Sequence, residues 1–182
     1  MTRAAPLFRD TLTGLFVNAY FIDRLSEAVE ADANGEPTLA LLIVDLDDLF
    51  LINITRGRAG GDQVLKELAT ILASAARADD VVGRLGADQF AVLLPGMQLE
   101  PATQYAEALR KMVWRAHGEG RSSCAIDVCI GVAATSPVHP QFAEALLHTA
   151  DRRLDAAKRS RRSPGFTRHV WAGPVDGDDT DW

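Results

Sequence analysis

A chain of 182 residues with 47% hydrophobic and 24% charged content can bury one full core, and disorder over most of its length is excluded. Its formal charge is −6, but Asp176, Asp178, Asp179 and Asp181 near the end carry four of those charges, leaving about −2 on the body, a balance that gives no support to a nucleic-acid partner. No apolar run approaches the roughly 20 residues of a spanning helix, so a soluble cytoplasmic domain without membrane contact is expected.

The expected organisation is a tail over residues 1–8, one domain over 9–171 and an acidic disordered tail or linker over 172–182. Asp10-Thr11-Leu12-Thr13-Gly14-Leu15 reads as a turn leading into a helix near Val17 to Ala33, with Phe21, Leu25, Ala28 and Val29 on its apolar face. Asn34-Gly35-Glu36-Pro37 ends it. Leu39 to Val44 is a run of six apolar residues, which fits a strand buried on both faces. It stops abruptly in Asp45-Leu46-Asp47-Asp48. Carboxylates at the exit of a buried strand are held rigidly yet reach solvent, which suits a hard divalent cation carrying phosphates; the plainer alternative is that they cap the next helix.

A short helical turn around Leu49 to Asn53 follows, then Gly57 to Gly61, then a long helix from about Asp62 to Ala78 with Val64, Leu65, Leu68, Leu72 and Ala75 as its buried stripe. Val81 to Leu85 and Phe90 to Leu94 flank Gly86-Ala87-Asp88-Gln89, a β-hairpin with its acid at the tip. A helix from about Glu100 to Ala116 precedes alternation from Ala125 to Val132, the pattern of a half-buried strand. A last helix from Phe142 to Arg159 and a short strand from Phe166 to Trp171 complete the order. Helices mixed with a central hairpin argue an α/β fold of the two-layer kind and not a doubly wound parallel sheet.

Cys124 and Cys129, five apart in a predicted strand, should face opposite sides and neither pair nor share a metal. His117, His139, His148 and His169 show no ligand spacing and are expected to be surface or partly buried residues. Arg152, Arg153, Lys158, Arg159, Arg161 and Arg162 form a basic cluster that is either a phosphate site or a solvated helix end.

Five motifs in order give the chain a resemblance to the GGDEF domains of bacterial diguanylate cyclases, over about Arg9 to Pro164. Asp10-x-Leu12-Thr13-Gly14-Leu15 resembles the family's opening D-x-L-T-G-L. Asp45-Leu46-Asp47, Asn53, Gly57 and Gly61-Asp62 stand at the offsets of its D-x-D…N…G-H-x-x-G-D run. Gly86-Ala87-Asp88-Gln89-Phe90, preceded by Arg84, takes the place of the signature. Ile130-Gly131-Val132-Ala133 and Ala150-Asp151…Leu154…Ala157-Lys158 match the late motifs.

The resemblance implies a mixed, mostly antiparallel sheet flanked by helices, and a reaction in which two domains, each holding one GTP, meet and form cyclic di-GMP. It places Mg²⁺ or Mn²⁺ on Asp45, the carbonyl of Leu46 and Asp88, with Asp45 and Asp88 as the catalytic acids. Asn53 and Asp62 would read guanine, Lys158 and Arg162 would face the phosphates, and Arg77 with Asp80 would form the family's product-inhibition site for cyclic di-GMP. Partners implied are cyclic di-GMP or GTP, a second copy in a homodimer, and further signalling domains.

Departures converge on the same pocket. Ala87 replaces the second signature glycine, where a left-handed turn would cost an alanine about 1 kcal/mol. Gln89 replaces the glutamate, Phe50 a phosphate-binding lysine, Arg58 a histidine, and Arg161 the glycine before Arg162. Val17 and Asn18 also replace an asparagine and an arginine after the opening motif. The expected function is therefore a degenerate, catalytically weak or inactive domain that binds cyclic di-GMP or GTP as a regulatory module. An active cyclase and a dimerisation scaffold are the alternatives.

Overall fold

The computed structural model describes residues 8–32, 38–135, 142–161 and 169–173. In chain order the elements are β1 (Phe16–Val17), α1 (Asn18–Asp32), β2 (Leu39–Leu46), α2 (Leu49–Ala75), β3 (Val81–Arg84), β4 (Gln89–Pro95), α3 (Leu99–Arg115), β5 (Val128–Ala134), α4 (Ala143–Arg161) and β6 (Val170–Trp171). The strands form one sheet in the order β1-β3-β4-β2-β5-β6. β2 is antiparallel to both β4 and β5, β3 is antiparallel to β4, and the two outer pairs, β1 with β3 and β5 with β6, are parallel. The α/β class and the mostly antiparallel sheet are as expected.

The layer count is larger than the two expected. Successive side chains of a strand point to opposite faces, and β2 is buried along all eight residues, so both faces need a cover. Ala40, Leu42, Val44 and Leu46 pack with Val64, Leu65, Leu68 and Leu72 of α2 and with Ala102, Ala106, Leu109 and Val113 of α3. Leu39, Leu41 and Ile43 pack with Phe21, Leu25 and Val29 of α1 and with Leu146, Ala150, Leu154 and Ala157 of α4. Helices therefore sandwich the sheet from both sides.

Three further boundaries differ from the sequence reading. Val17 lies in the edge strand β1 and not in α1, because Phe16 and Val17 pair with Gly83 and Arg84 of β3. The two helices expected around Gly57 to Gly61 are present within α2, but they meet directly at a kink at Gly57 (φ 71°, ψ 171°), so the second begins before Asp62. β5 begins at Val128, not Ala125, and it is buried on both faces through Ala133. Cys124 consequently lies outside the strand, and both cysteines are free thiols.

The alternation in β5 is one of size, not of polarity. Cys129, Gly131 and Ala133 are small because α4 lies directly over them: a Cβ on Gly131 would fall 2.0 Å from the Ala150 carbonyl oxygen and 2.4 Å from the Leu154 nitrogen. Both are backbone atoms, which cannot swing aside. Gly131→Ala should push α4 off the sheet and cost about 1–3 kcal/mol, the range of other overpacked cores. In urea denaturation the midpoint should fall with the slope unchanged; an unaltered midpoint would refute this packing.

Candidate functional site

The exit of β2 gathers acids from the sheet and cations from the end of α4. Asp45 and Asp47 are only 8% and 7% exposed. Lys158 Nζ lies 2.8 Å from Asp45 Oδ2, and Arg161 Nε lies 3.4 Å from Asp47 Oδ2 while its Nη2 donates to Asp48. Burial raises the Asp45 carboxyl above its ordinary value; Lys158 opposes the shift, and the charges of Asp88 and Asp47 add to it. Asp47 is raised too, by burial first, with Arg161 opposing. Burial pulls Lys158 down, but its hydrogen bond to Asp45 and the nearby acids outweigh it and hold the ammonium above its usual value. Asp48 adopts φ 59°, the left-handed region that aspartate tolerates better than most residues, as α2 begins.

Asp88 sits in the turn between β3 and β4, where its carbonyl accepts from Leu46 N at 3.0 Å and so joins the hairpin to the β2 exit. Gly86 and Ala87 are exposed, Asp88 and Gln89 half-buried, and Phe90 is fully in the core. Among the described residues Asp48 is the only non-glycine with positive φ, so Ala87 carries none of the left-handed strain expected of it. Arg84 straps this turn instead. Its Nε donates to the Gly86 carbonyl at 3.0 Å, its Nη2 to the Ala87 carbonyl at 2.6 Å and its Nη1 to Asp10 at 3.1 Å. Asp10 in turn accepts from the Thr13 amide at 2.9 Å and the Thr13 hydroxyl at 2.6 Å. Burial alone would raise Asp10, yet the bonds from Thr13 and Arg84 together hold it below the usual carboxylate range. The opening motif and the signature turn are one hydrogen-bonded unit.

Asn53 and Asp62 flank the kink in α2. A Cβ on Gly61 would meet Asn53 Oδ1 at 2.0 Å, so the amide lies against the helix just before Asp62, a placement only glycine allows. Phe50, 78% exposed, stands with Leu51 and Ile54 as exposed apolar residues on the first turns of α2. Arg58 is exposed as well.

Arg77 and Asp80 are together, but as a closed pair. Arg77 Nη2 and Nε reach Asp80 Oδ1 at 2.7 and 3.0 Å, the Arg77 amide donates to Oδ2 at 2.7 Å, and Nη2 also donates to the Pro95 carbonyl at 3.0 Å. The Asp80 side chain has no exposed surface, whereas that of Arg77 is 47% exposed. Any ligand would therefore meet the arginine first.

Arg162 lies outside the described residues. Arg161, which the sequence placed in the basic cluster and as a replacement for glycine but in no site role, joins Lys158 at the β2 exit. The signal was the third acid of Asp45-Leu46-Asp47-Asp48, which needed a partner. His169 was also misjudged: it is 8% exposed, packed between Asp47 and Asp127. It follows α4 by only a short interval and precedes the edge strand β6, a place periodicity does not reveal.

An α/β domain with paired acids at a buried strand exit, a hairpin acid whose charge acts on them and a basic helix end has the arrangement that the sequence resemblance implies. The chain belongs to the family of the diguanylate cyclase GGDEF domain, whose profile matches residues 7–164. It is 39% identical over 158 residues to response regulator PleD of Caulobacter vibrioides, covering 85% of this chain and 34% of that protein. It is 36% identical over 160 residues to diguanylate cyclase TpbB of Pseudomonas aeruginosa, covering 84% and 35%. The chain thus spans about a third of the length of the curated relatives it matches. The crystal structure of the GGDEF domain of DgcB from Caulobacter crescentus, in complex with c-di-GMP, superposes with a TM-score of 0.79 at 27% identity, covering 94% of this chain and 98% of that one.

The Arg84 strap makes a direct prediction. Arg84→Ala removes charge-assisted bonds worth about 1.5–3 kcal/mol each in favourable settings. Hydrogen exchange should speed up in the segment 85–89 well before the rest of the sheet; unchanged protection there would show that the strap does not hold the turn.

Proposed function

We propose that this domain is a guanine-nucleotide-binding regulatory module of cyclic di-GMP signalling with weak or absent cyclase activity. The observation that carries this reading is Phe50: where the family places a phosphate-binding lysine, an uncharged ring stands 78% exposed at the start of the helix that follows the acids. The described basic residue nearest the acid Asp45, Lys158, is already held by that carboxylate. Gln89 further removes a negative charge from the hairpin.

The donor set still fits a hard divalent cation. Asp45, the Leu46 carbonyl and Asp88 offer oxygen only, as Mg²⁺ and Mn²⁺ prefer. Burial makes the ionised Asp45 costly, and Lys158 supplies the positive charge that a metal would otherwise bring. When bound, such a metal neutralises phosphate charge and acidifies an attacking hydroxyl. The chain's own contribution is recognition. Asn53 offers donors and an acceptor and Asp62 accepts, which complements a guanine edge. Lys158, freed from Asp45 by a metal, would turn to phosphate. Binding tolerates these losses better than turnover, which needs reacting atoms placed closely.

Cyclic di-GMP has a second place to bind, at Arg77. Its guanidinium is partly exposed and planar, able to stack on a guanine and pair with a phosphate. Support comes from its offset from the signature and from the DgcB structure, whose GGDEF domain was solved with c-di-GMP. Asp80 would serve mainly by orienting the guanidinium.

Isothermal titration of one sample with GTP–Mg²⁺ and with cyclic di-GMP tests both sites. GTP affinity should require Mg²⁺ and fall in Asp45→Asn. Cyclic di-GMP affinity should fall in Arg77→Lys, which keeps a charge but loses the fork, and stay unchanged in Asp45→Asn. Arg77→Ala is the poorer variant, because it strips the side-chain partner from a fully covered carboxylate. Absence of both ligands at tens of micromolar, roughly −6 kcal/mol, would leave only the scaffold reading.

A further inference from the structure

Beside the candidate nucleotide site lies a second cluster that neither the guanine nor the phosphate assignment uses. Asp47 follows the last residue of β2, Cys129 lies near the start of β5, and His169 immediately precedes β6. Strand register puts them on one face: Asp45 pairs with Cys129, Asp47 N donates to the Asp127 carbonyl, and Ile130 N donates to the His169 carbonyl. One ligand-type atom from each of Asp47, Cys129 and His169 lies within 4.8 Å of the others, and all three residues are buried. The Cys129 thiol donates to Asp47 Oδ2 at 3.7 Å, and His169 Nδ1 lies 3.8 Å from the same oxygen.

His169 Nδ1 is the independent clue. It is fully covered and has no hydrogen-bond partner among the described residues, in a residue 8% exposed. Burying such an atom unpaired costs on the order of 1–3 kcal/mol. The carboxylates nearest to it, Asp47 Oδ2 at 3.8 Å and Asp127 Oδ2 at 3.6 Å, are both beyond hydrogen-bond reach. These gaps are too long for hydrogen bonds but suit an ion between the atoms. Metal bonds of about 2.0–2.3 Å at tetrahedral angles place neighbouring ligands roughly 3.3–3.8 Å apart.

We propose that Asp47, Cys129 and His169 form a binding site for zinc, or another borderline transition-metal ion, distinct from the oxygen-only site expected for magnesium. Thiolate, imidazole and carboxylate together select zinc over magnesium or calcium. Asp127 completes the set, either as the fourth ligand or through a water. Arg110 holds its two oxygens at 3.0 and 2.6 Å, which fixes the carboxylate beside the site in either case. Binding exchanges the thiol proton of Cys129, which leaves to solvent, for the metal–sulfur bond. It also competes with Arg161 Nε for Asp47. Zinc would thus loosen one of the three contacts that tie the end of α4 to the acids, leaving Lys158 on Asp45 and Arg161 on Asp48, and would act on the neighbouring nucleotide site through that helix.

Cobalt reports the thiolate directly. Chelator-treated, reduced protein is titrated with Co²⁺ and then Zn²⁺, and absorption is followed in the visible and near ultraviolet. The expected result is one equivalent of Co²⁺, strong tetrahedral bands with a sulfur-to-cobalt charge-transfer band, and stoichiometric displacement by Zn²⁺. Cys129→Ser should abolish the charge-transfer band, and His169→Gln should weaken Zn²⁺ binding on the order of 100-fold or more, since even outer-shell changes cost 10–100-fold. Cys124→Ser and Asp45→Asn should leave both signals in place, which separates this site from the other cysteine and from the magnesium site. Should Cys129→Ser not fold, as judged by circular dichroism, His169→Gln decides alone. A spectrum without a thiolate band, persistence of that band in Cys129→Ser, or wild-type binding in His169→Gln overturns the proposal. So does the absence of stoichiometric uptake at tens of micromolar, and the group is then only an ionic cluster of Asp47, Asp127 and His169.

Discussion

Charge compensation at the end of one buried strand governs this domain. β2 is covered on both faces for its whole length, so Asp45 is carried into an environment that penalises its charge, and Asp47 just beyond the strand shares that burial. The carboxylates persist there because α4 delivers Lys158 and Arg161 to them. That delivery depends in turn on Gly131, whose missing side chain lets α4 lie directly on β5. Packing on one side of the sheet therefore sets the electrostatics of its edge.

The hairpin joins this system through the backbone and also through the charge of Asp88, which acts on both Asp45 and Lys158. Asp88 is positioned by the Leu46 amide and by the Arg84 strap, which is itself anchored on Asp10 and Thr13. Loss of the second signature glycine is consequently cheap for the fold, as Ala87 stays out of the left-handed region. Any impairment caused by Ala87 must come from its methyl facing a nucleotide, not from a deformed turn. Phe50 and Gln89 likewise sit where they cost the fold nothing. A domain can keep such changes as long as recognition, rather than turnover, is what the site supplies.

The strongest features were legible in the sequence for plain reasons. Six apolar residues bounded by polar segments and ending in acids fit a buried strand with a polar exit, and the four-residue recurrence of Phe21, Leu25 and Val29 marked the inner face of α1. The site roles of Asn53, Asp62, Arg77, Asp80, Asp88 and Lys158 rest on motif offsets alone and belong to the proposal. What was hidden depended on contacts distant in sequence. The pattern in β5 encoded size matching to α4, which looks like alternation for a half-buried strand. β1 is two residues long and exists only because β3 pairs with it. The closed pairing of Arg77 with Asp80 did not show in the motif offset, and the company of Asp47 was invisible because Cys129 and His169 reach it from β5 and from the residue before β6.

The central claim, a nucleotide site retained without effective chemistry, is tested most directly by long incubation of purified protein with GTP and Mg²⁺ or Mn²⁺ followed by chromatographic separation of the nucleotides. Several kcal/mol of transition-state stabilisation are missing if each lost electrostatic contact is worth about 2.7–4 kcal/mol, as for single preorganised donors elsewhere. The account predicts that GTP is recovered with negligible cyclic di-GMP even at protein concentrations that saturate binding. Steady accumulation of cyclic di-GMP, abolished by Asp88→Asn, would contradict it and mark the domain as a working cyclase.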